Sequence, residues 1–472
     1  MTTTATTSPS AATAQEARAR RSVLWIVALA TIGLVFDGYD LVVYGTVVST
    51  FLRDPTQIGA VTPGIAGALG SYALVGVLVG ALLAGSVGDL IGRRRVMLFA
   101  YAWFALGMGL TALTHSTTLF GLLRFATGLG VGALVATTGA LVAEYAPAGR
   151  KNLYIAVVYS GVPLGSLLAA GLAMVLLPAI GWRGMFLIGA LPIVTLLPLA
   201  VVRMPESVAW LAARGRMDEA RALSLRTGVE LPSSEPQVLA VTPTTVTPAT
   251  AEKSGFAGLF GAPYLLPTLL LGLMSATGLL LVYSLNTWLP ELMLRAGFNA
   301  KGSLSFLLVL NGGAVLGALL GSGIADRFGP KPVVAASFAI GAAAIAVLTF
   351  ELPLAARLAA IAVVGLGTSG TQTLIYGFVA NYYRTNVRGA GVAWCAGFGR
   401  LGGVGGPLLG GFLLAASLEL NAIFHILAVL ALFGVALTLA VPTARRAAAR
   451  PASGGVPARP FTDAATGLPP VR

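Results

Sequence analysis

The sequence predicts an all-α integral membrane protein whose twelve transmembrane helices form two pseudo-symmetric six-helix bundles. Three observations carry that prediction. Only 10% of the 472 residues are charged and 56% are hydrophobic, against roughly a quarter charged in a soluble domain, so a water-facing surface cannot be covered. Twelve apolar stretches are long enough to cross a ~30 Å hydrocarbon core, which takes ~20 residues at 1.5 Å rise. The two halves of the chain also resemble each other at a fixed offset of 237 residues. The 60 glycines are spread through the apolar runs, as in closely packed membrane helices. The stretches are too long and too evenly apolar for the ~10-residue alternating strands of a β-barrel.

In order, the expected spans cover residues 23–48, 65–87, 96–113, 119–143, 154–177, 184–202, 267–289, 304–324, 333–350, 358–382, 389–416 and 421–441. Residues 1–21 are Thr/Ala-rich with a basic end. The apolar run that follows contains two aspartates and is too long for the core of a cleavable signal. After the sixth span comes the longest hydrophilic insertion. Its first part, 208–226, mixes Trp210, Leu211, Met217 and Leu223 with charged residues and reads as an amphipathic helix at the membrane surface. Its second part, 228–253, is rich in Pro, Thr, Ser and Val and reads as a flexible linker. The chain thus divides into a disordered cytoplasmic N-terminus (1–21), an N-terminal bundle (22–203), a cytoplasmic linker (204–261), a C-terminal bundle (262–441) and a disordered cytoplasmic C-terminus (442–472).

An even number of spans places both ends on one side. In the short loops Arg93, Arg94, Arg95, Arg150, Lys151, Arg327, Lys331, Arg384 and Arg388 fall on that side, against Arg53, Arg183, Arg295, Lys301 and Arg357 on the other. The excess of cations marks the side of the termini as cytoplasmic. Most of the net charge of +13 is therefore topology and anionic-lipid contact rather than a nucleic-acid surface. One cysteine, Cys395, and two histidines exclude a disulfide framework and leave little for zinc. No metal or cofactor is expected. No nucleophile–base pair suggests an enzyme.

The repeat locates the functional charges by its failures. Gly85–Asp89 with Gly92 returns as Ser322–Asp326 with Gly329, Gly128-Leu129-Gly130 as Gly365-Leu366-Gly367, and Ala143-Glu144-Tyr145 as Ala380-Asn381-Tyr382. Yet Asp37 has Met274 as its repeat partner, Asp40 has Thr277 and Arg124 has Ile361, so packing alone does not require these charges. Ionisable groups deep in a span cost about 2.5–3.5 kcal/mol on insertion scales and mark function by default. Asp37, Asp40 and Tyr44 share one helical face of the first span. Two carboxylates this close in a poorly hydrated cavity repel each other, which makes the pair a candidate proton carrier. Arg124 and Arg400, each in a glycine-rich stretch, are candidate anion clamps, because guanidinium stays charged and grips a carboxylate at two points. Tyr39, Tyr44, Tyr159, Tyr283, Trp288, Trp394 and Phe398 are candidate walls for an apolar ring, with Tyr44, Tyr159, Trp394 and Phe398 the ones assigned to substrate. The turn from Gly85 to Arg95 presents Asp89, Arg93 and Arg94 for gating. Its repeat presents Asp326 and Arg327, and Glu144 is placed to brace or gate the same end.

At these residues the chain resembles the major facilitator superfamily over all twelve spans. The second-to-third-span turn matches that superfamily's signature, with Leu90 where a basic residue is usual and Pro330-Lys331-Pro332 in place of the second basic run. Pro205-Glu206-Ser207 through Trp210-Leu211 looks like the motif after the sixth span that sugar and organic-acid carriers share. Asp37-Gly38-Tyr39-Asp40 is similar to the motif of the aromatic acid:proton symporters, carriers of benzoate, hydroxybenzoates, protocatechuate or gentisate. Residues 381–400, from Asn381 through Arg388 to Arg400, look like the same family's tenth-to-eleventh-span region. The resemblance implies that activity depends on charge at Asp37, Asp40, Asp89, Arg124, Glu144, Asp326, Arg388 and Arg400.

The resemblance also implies an aromatic carboxylate imported with protons across the cytoplasmic membrane by alternating access. Its partners are then that substrate, protons and membrane lipids, and the chain works as a monomer. The residues themselves leave open a proton symporter for a sugar or another small organic acid. A drug-exporting antiporter is a weaker fit, because Gly161-Val162-Pro163-Leu164-Gly165 matches the exporter motif only loosely.

Overall fold

The computed structural model describes residues 9–147, 150–229, 231, 255–261 and 264–442. Among these residues the protein is helical, with no strand. The second part of the expected linker, from residue 232, and the C-terminal segment beyond residue 442 lie outside them.

The first bundle contains α1 (Pro9–Arg53), α2 (Pro63–Ile91), α3 (Arg93–Leu113), α4 (Thr117–Tyr145), α5 (Lys151–Tyr159), α6 (Gly161–Ala190) and α7 (Leu196–Arg203). Short helices α8 (Val208–Ala213), α9 (Met217–Thr227) and α10 (Gly255–Leu259) follow. The second bundle contains α11 (Leu265–Arg295), α12 (Ala300–Phe328), α13 (Pro330–Val347), α14 (Leu354–Gly365), α15 (Thr371–Tyr382), α16 (Thr385–Ala415) and α17 (Leu420–Ala440). A π-helical turn, Leu366–Gly370, joins α14 to α15 within one span.

Among the described residues eleven helical runs are long and apolar enough to cross a membrane. One of them, Leu153–Arg203, has 51 residues, ~76 Å at 1.5 Å per residue, more than twice the hydrocarbon thickness. It breaks at Gly181, whose φ of 63° and ψ of −178° no helix contains. The indole of Trp182 and the guanidinium of Arg183 then donate to Gln57 in the α1–α2 loop, at 2.7 and 3.2 Å. The run is two crossings folded back at that loop, which makes twelve spans.

Local sequence explains the ends. Thr62, Ser116 and Asn299 cap α2, α4 and α12 by accepting from Ile65, Leu119 and Gly302 amides. Gly92 and Gly329, repeat partners, both sit at positive φ, 102° and 86°, where each turns one span tightly into the next.

The internal repeat reappears as packing. A Cβ on Gly76 would strike the carbonyl of Phe125, one on Gly128 that of Ala73, and one on Gly80 that of Leu129. In the second bundle, Gly313 meets Ala362, Gly365 meets Leu310, and Gly317 meets Leu366. Every one of these is a repeat partner of the first set. The α2–α4 crossing and the α12–α14 crossing are therefore one structure built twice, with backbones close enough that only hydrogen fits.

Two segments differ from expectation. Residues 9–21, read from the sequence as a disordered tail, continue α1 as helix. The reason is tertiary: Ser22 donates to the Thr227 carbonyl at 3.1 Å, and Arg18 to the Leu225 carbonyl at 3.3 Å, so the end of α9 docks there. The single amphipathic helix expected over 208–226 is two helices, α8 and α9, separated at Gly215, φ 74°.

The face bearing Gly92, Gly329 and α8–α9 is termed the linker face, and the opposite one the distal face. The two bundles meet along α2 and α16 and along α1 and α11. Ser71 donates to the Val404 carbonyl at 2.7 Å, Gly67 abuts Pro407, and Arg53 pairs with Glu291 at 3.1 Å. These ties run from the distal face to mid-span, where Arg400 donates to the Val77 carbonyl at 3.2 Å. Toward the linker face no hydrogen bond or ion pair of this kind joins the bundles among the described residues. Gly85 and Gly389 have open space where a Cβ would stand, and Asp326 and Arg388 are exposed. The ties described thus hold the seam over its distal half.

Candidate functional site

The site is a mid-membrane group drawn from both bundles. Asp37 projects from α1, Tyr159 from the end of α5, Tyr283 from α11, Tyr376 from α15 and Arg400 from α16. Asp37 lies within electrostatic reach of Arg400 and Asp40. Tyr159 feels Arg400, Asp37 and Tyr376, and Tyr283 feels those same three groups and Asp40. The Tyr376 phenol stands beside Gln372 and Ser275, and the Gln372 amide donates to Ser275 at 3.1 Å. One carboxylate from the first bundle thus faces one guanidinium from the second, among three phenols. Among the described residues Asp37 forms no ion pair, so the gap to Arg400 exceeds contact distance.

Asp40 and Arg124, expected to act as a proton site and an anion clamp, are instead each other's partner. They form a buried ion pair, their side chains 7% and 3% exposed. Arg124 also lies over the rings of Tyr44 at 5.5 Å and Phe186 at 5.8 Å. The pair sits inside the first bundle, where α4 brings Arg124 against α1. The two arginines are therefore not equivalent: Arg124 spends Nη1 on Asp40, its buried Nε having no hydrogen-bond partner among the described residues, whereas Arg400 stands at the seam and donates to the Val77 carbonyl. The two aspartates separate for the same reason.

The aromatics also divide. Tyr44 is 2% exposed and its hydroxyl donates to the Ala66 carbonyl at 2.6 Å, so it braces α1 on α2 rather than lining the seam. Tyr159 is half-open and donates to the Val135 carbonyl at 2.9 Å, leaving its ring edge toward the central charges. Trp394 and Phe398 stack at 4.9 Å, Phe398 about half a turn and Trp394 between one and two turns nearer the linker face than Arg400, with Trp394 donating to the Thr268 carbonyl at 2.9 Å.

On the linker face the expected gating residues form one cluster and leave the other open. Arg93 pairs with Asp89 at 2.6 Å and reaches Glu144 at 3.5 Å. The backbone N–H of Arg94 donates to Glu206 at 3.0 Å, so that carboxylate caps the start of α3. In the second bundle Asp326 forms no ion pair among the described residues, Arg327 lies over Phe328 at 5.4 Å, and Arg388 is exposed.

Sequence reasoning missed Tyr376, Gln372, Glu206 and Glu291. Gln372 was legible as a polar residue inside an apolar span. Glu291 was legible as an acid one position past the repeat partner of Arg53, position 290. No group of three or more His, Cys, Asp or Glu among the described residues can hold a metal ion.

The sequence matches the family model of the Major Facilitator Superfamily over residues 30–321 and 302–468. It is 32% identical to the benzoate transport protein of Acinetobacter baylyi over 408 residues, covering 85% of each chain. It is 35% identical to the gentisate transporter of Corynebacterium glutamicum over 413 residues, covering 86% of this chain and 85% of that one. Its fold is similar to the inward-open xylose transporter of E. coli, with a TM-score of 0.71 at 17% identity over 90% of this chain and 98% of the other. With twelve spans, a duplicated bundle and this likeness over most of its length, the chain belongs to the major facilitator superfamily and, within it, to the aromatic acid transporter family: it is a transporter, not an enzyme.

Proposed function

We propose that the protein is a symporter that imports an aromatic carboxylate of the benzoate or hydroxybenzoate class with protons, across the cytoplasmic membrane, by alternating access. The linker face is then cytoplasmic, carrying both termini, and the arrangement described is inward-facing. The observation that carries this reading is Arg400 facing Asp37 across the seam, among Tyr159, Tyr283 and Tyr376.

Charge balance supplies the coupling. Without substrate, Asp37 and Arg400 offset each other. A carboxylate docking on Arg400 would bring a second negative charge near Asp37. Two unit charges ~5 Å apart at an effective dielectric of ~20 repel by roughly 3 kcal/mol. A proton on Asp37 removes that repulsion, so proton and anion favour each other's binding, and reciprocally so. The phenols supply ring faces for an apolar body and hydroxyls for its polar edge. A monoanion entering with one proton moves no net charge and gains only ~1.4 kcal/mol per unit of pH difference. A second proton would add ~2.3 kcal/mol per 100 mV. A neutral sugar would add no charge near Asp37 and so give its protonation no electrostatic reason to follow binding, which disfavours that alternative.

The test is uptake of labelled 4-hydroxybenzoate, benzoate and gentisate into proteoliposomes under an imposed pH gradient. Accumulation that follows the gradient and saturates is expected. Absence of gradient-dependent accumulation with all three acids overturns the substrate assignment.

A further inference from the structure

Away from the seam, the linker face carries a cavity of about 640 Å³ between the start of α3, the end of α7 and the α8–α9 pair. We propose that this cavity is a binding site for a phosphate-bearing anion, of the kind an anionic phospholipid headgroup presents.

Four arginines line it: Arg94, Arg95, Arg216 and Arg226. Its two acids are already engaged. Glu206 accepts from the backbone amides of Arg94 at 3.0 Å and Ser207 at 2.9 Å. Glu219 holds Arg216 through two bonds of 2.7 and 2.6 Å. Arg95 and Arg226 are exposed on the rim and form no hydrogen bond or ion pair among the described residues. Arg94 offers a second sign of an unfilled site: its Nε is buried with no partner, although its Nη2 donates to the Val201 carbonyl at 2.7 Å. A buried charged donor lacking an acceptor is costly, and an anion seated here supplies one.

The adjoining recess, about 330 Å³, adds Arg214 and contains no acid. Trp210 stands between the two, with Arg214 and Arg216 guanidinium groups 5.9 and 5.8 Å from its ring. The whole wall therefore carries an excess of fixed positive charge whose nearest carboxylates are occupied. Phosphate oxygens match guanidinium forks better than any neutral polar group does.

Position argues for a lipid as the source. The cavity lies where the sixth span leaves the membrane, and Val202 on its lip and Leu225 beside it are each 75% exposed. Acyl chains running down past Val202 would place a headgroup phosphate at the level of the arginines. Free phosphate has the same chemistry without the chains, so the experiment separates them.

The full chain is purified in detergent, and its melting temperature is titrated with dioctanoyl phosphatidylglycerol, dioctanoyl phosphatidylcholine and inorganic phosphate. Three proteins are compared: the unaltered chain, Arg95→Gln/Arg226→Gln, and Arg150→Gln/Lys151→Gln, which removes two cations outside the cavity. Phosphatidylglycerol is expected to stabilise the unaltered chain. Its half-saturating concentration should rise at least tenfold in the cavity double variant and stay unchanged in the control. Phosphatidylglycerol acting without phosphate assigns the site to lipid, and phosphate acting alone assigns it to the free ion. Equal protection by phosphatidylcholine, no protection by either anion, or an unchanged titration in the cavity variant overturns the proposal. Neither readout depends on transport, so failure here leaves the symport reading untouched.

Discussion

Arg400 and Arg124 are the same residue type in similar glycine-rich surroundings, yet their partners give them different work. Arg400 meets the seam with one bond to the Val77 carbonyl, so it can take a substrate carboxylate at two points. Replacing it by Lys keeps the charge and loses the fork. A charged hydrogen bond contributes roughly 1.5–3 kcal/mol, so affinity for 4-hydroxybenzoate should fall about 10- to 100-fold, and Arg400→Gln should bring it below detection. Equilibrium binding to purified protein checks this apart from flux. Arg124 and Asp40 behave otherwise. Removing one member of a buried pair strands the other at about 3–5 kcal/mol. Asp40→Asn and Arg124→Gln should each lower the melting temperature, and the double variant should recover part of the loss. Full additivity would mean that the pair is not coupled. Asp37→Asn removes the proposed proton carrier without stranding a buried partner. It should abolish pH-driven accumulation while retaining substrate exchange, measured as counterflow in proteoliposomes.

At the scale of helices, the sequence disclosed most where it repeats itself and least where one helix chooses among equals. The shared offset of Gly128 and Gly365 was visible in the residues, and each lies at a crossing so tight that a Cβ would strike a neighbouring carbonyl. Spacing also put Asp37 and Asp40 on one face, but i and i+3 neighbours look alike until another helix packs beside them. The α4 contact selects Asp40, and only tertiary geometry could say so. Residues 9–21 misled for a related reason: their composition is that of a tail, and the helix depends on α9 docking against it. The crossings themselves are testable. Gly128→Val or Gly365→Val should sharply reduce folded yield, because backbone rather than a flexible side chain must move. Gly85→Val, in an otherwise identical position of a long apolar helix but with open space around it, should express near normally. Equal yields from all three would refute close packing as the role of the repeat glycines.

On the scale of the whole molecule, closure rests on helices that the duplication makes equivalent. The distal ends of α1 and α11 are repeat partners, and they meet on the pseudo-symmetry axis with opposite charges. Glu291, only 3% exposed, accepts from Arg295 on its own helix at 3.0 Å and pairs with Arg53 of the other bundle at 3.1 Å. No comparable ion pair among the described residues joins Asp326 to the first bundle on the linker side. On the proposed alternating-access reading, the molecule is thus latched at one end and unlatched at the other, which is how a two-state carrier would store its preference. Since Arg53 is half-exposed, the latch contributes modestly, on the order of 1 kcal/mol, enough to shift the balance of states about fivefold. Glu291→Gln should therefore open the distal side more often. A cysteine at Ser49, buried one turn from Arg53, should then react several times faster with a membrane-impermeant thiol reagent applied from that side. Swapping the charges, Arg53→Glu with Glu291→Arg, restores an attraction across the seam and should return the rate toward its starting value. A rate that Glu291→Gln leaves unchanged would show the pair to be a surface contact with no hold on the equilibrium. A rate that the swap fails to lower would show that Glu291 acts only within its own bundle, through Arg295.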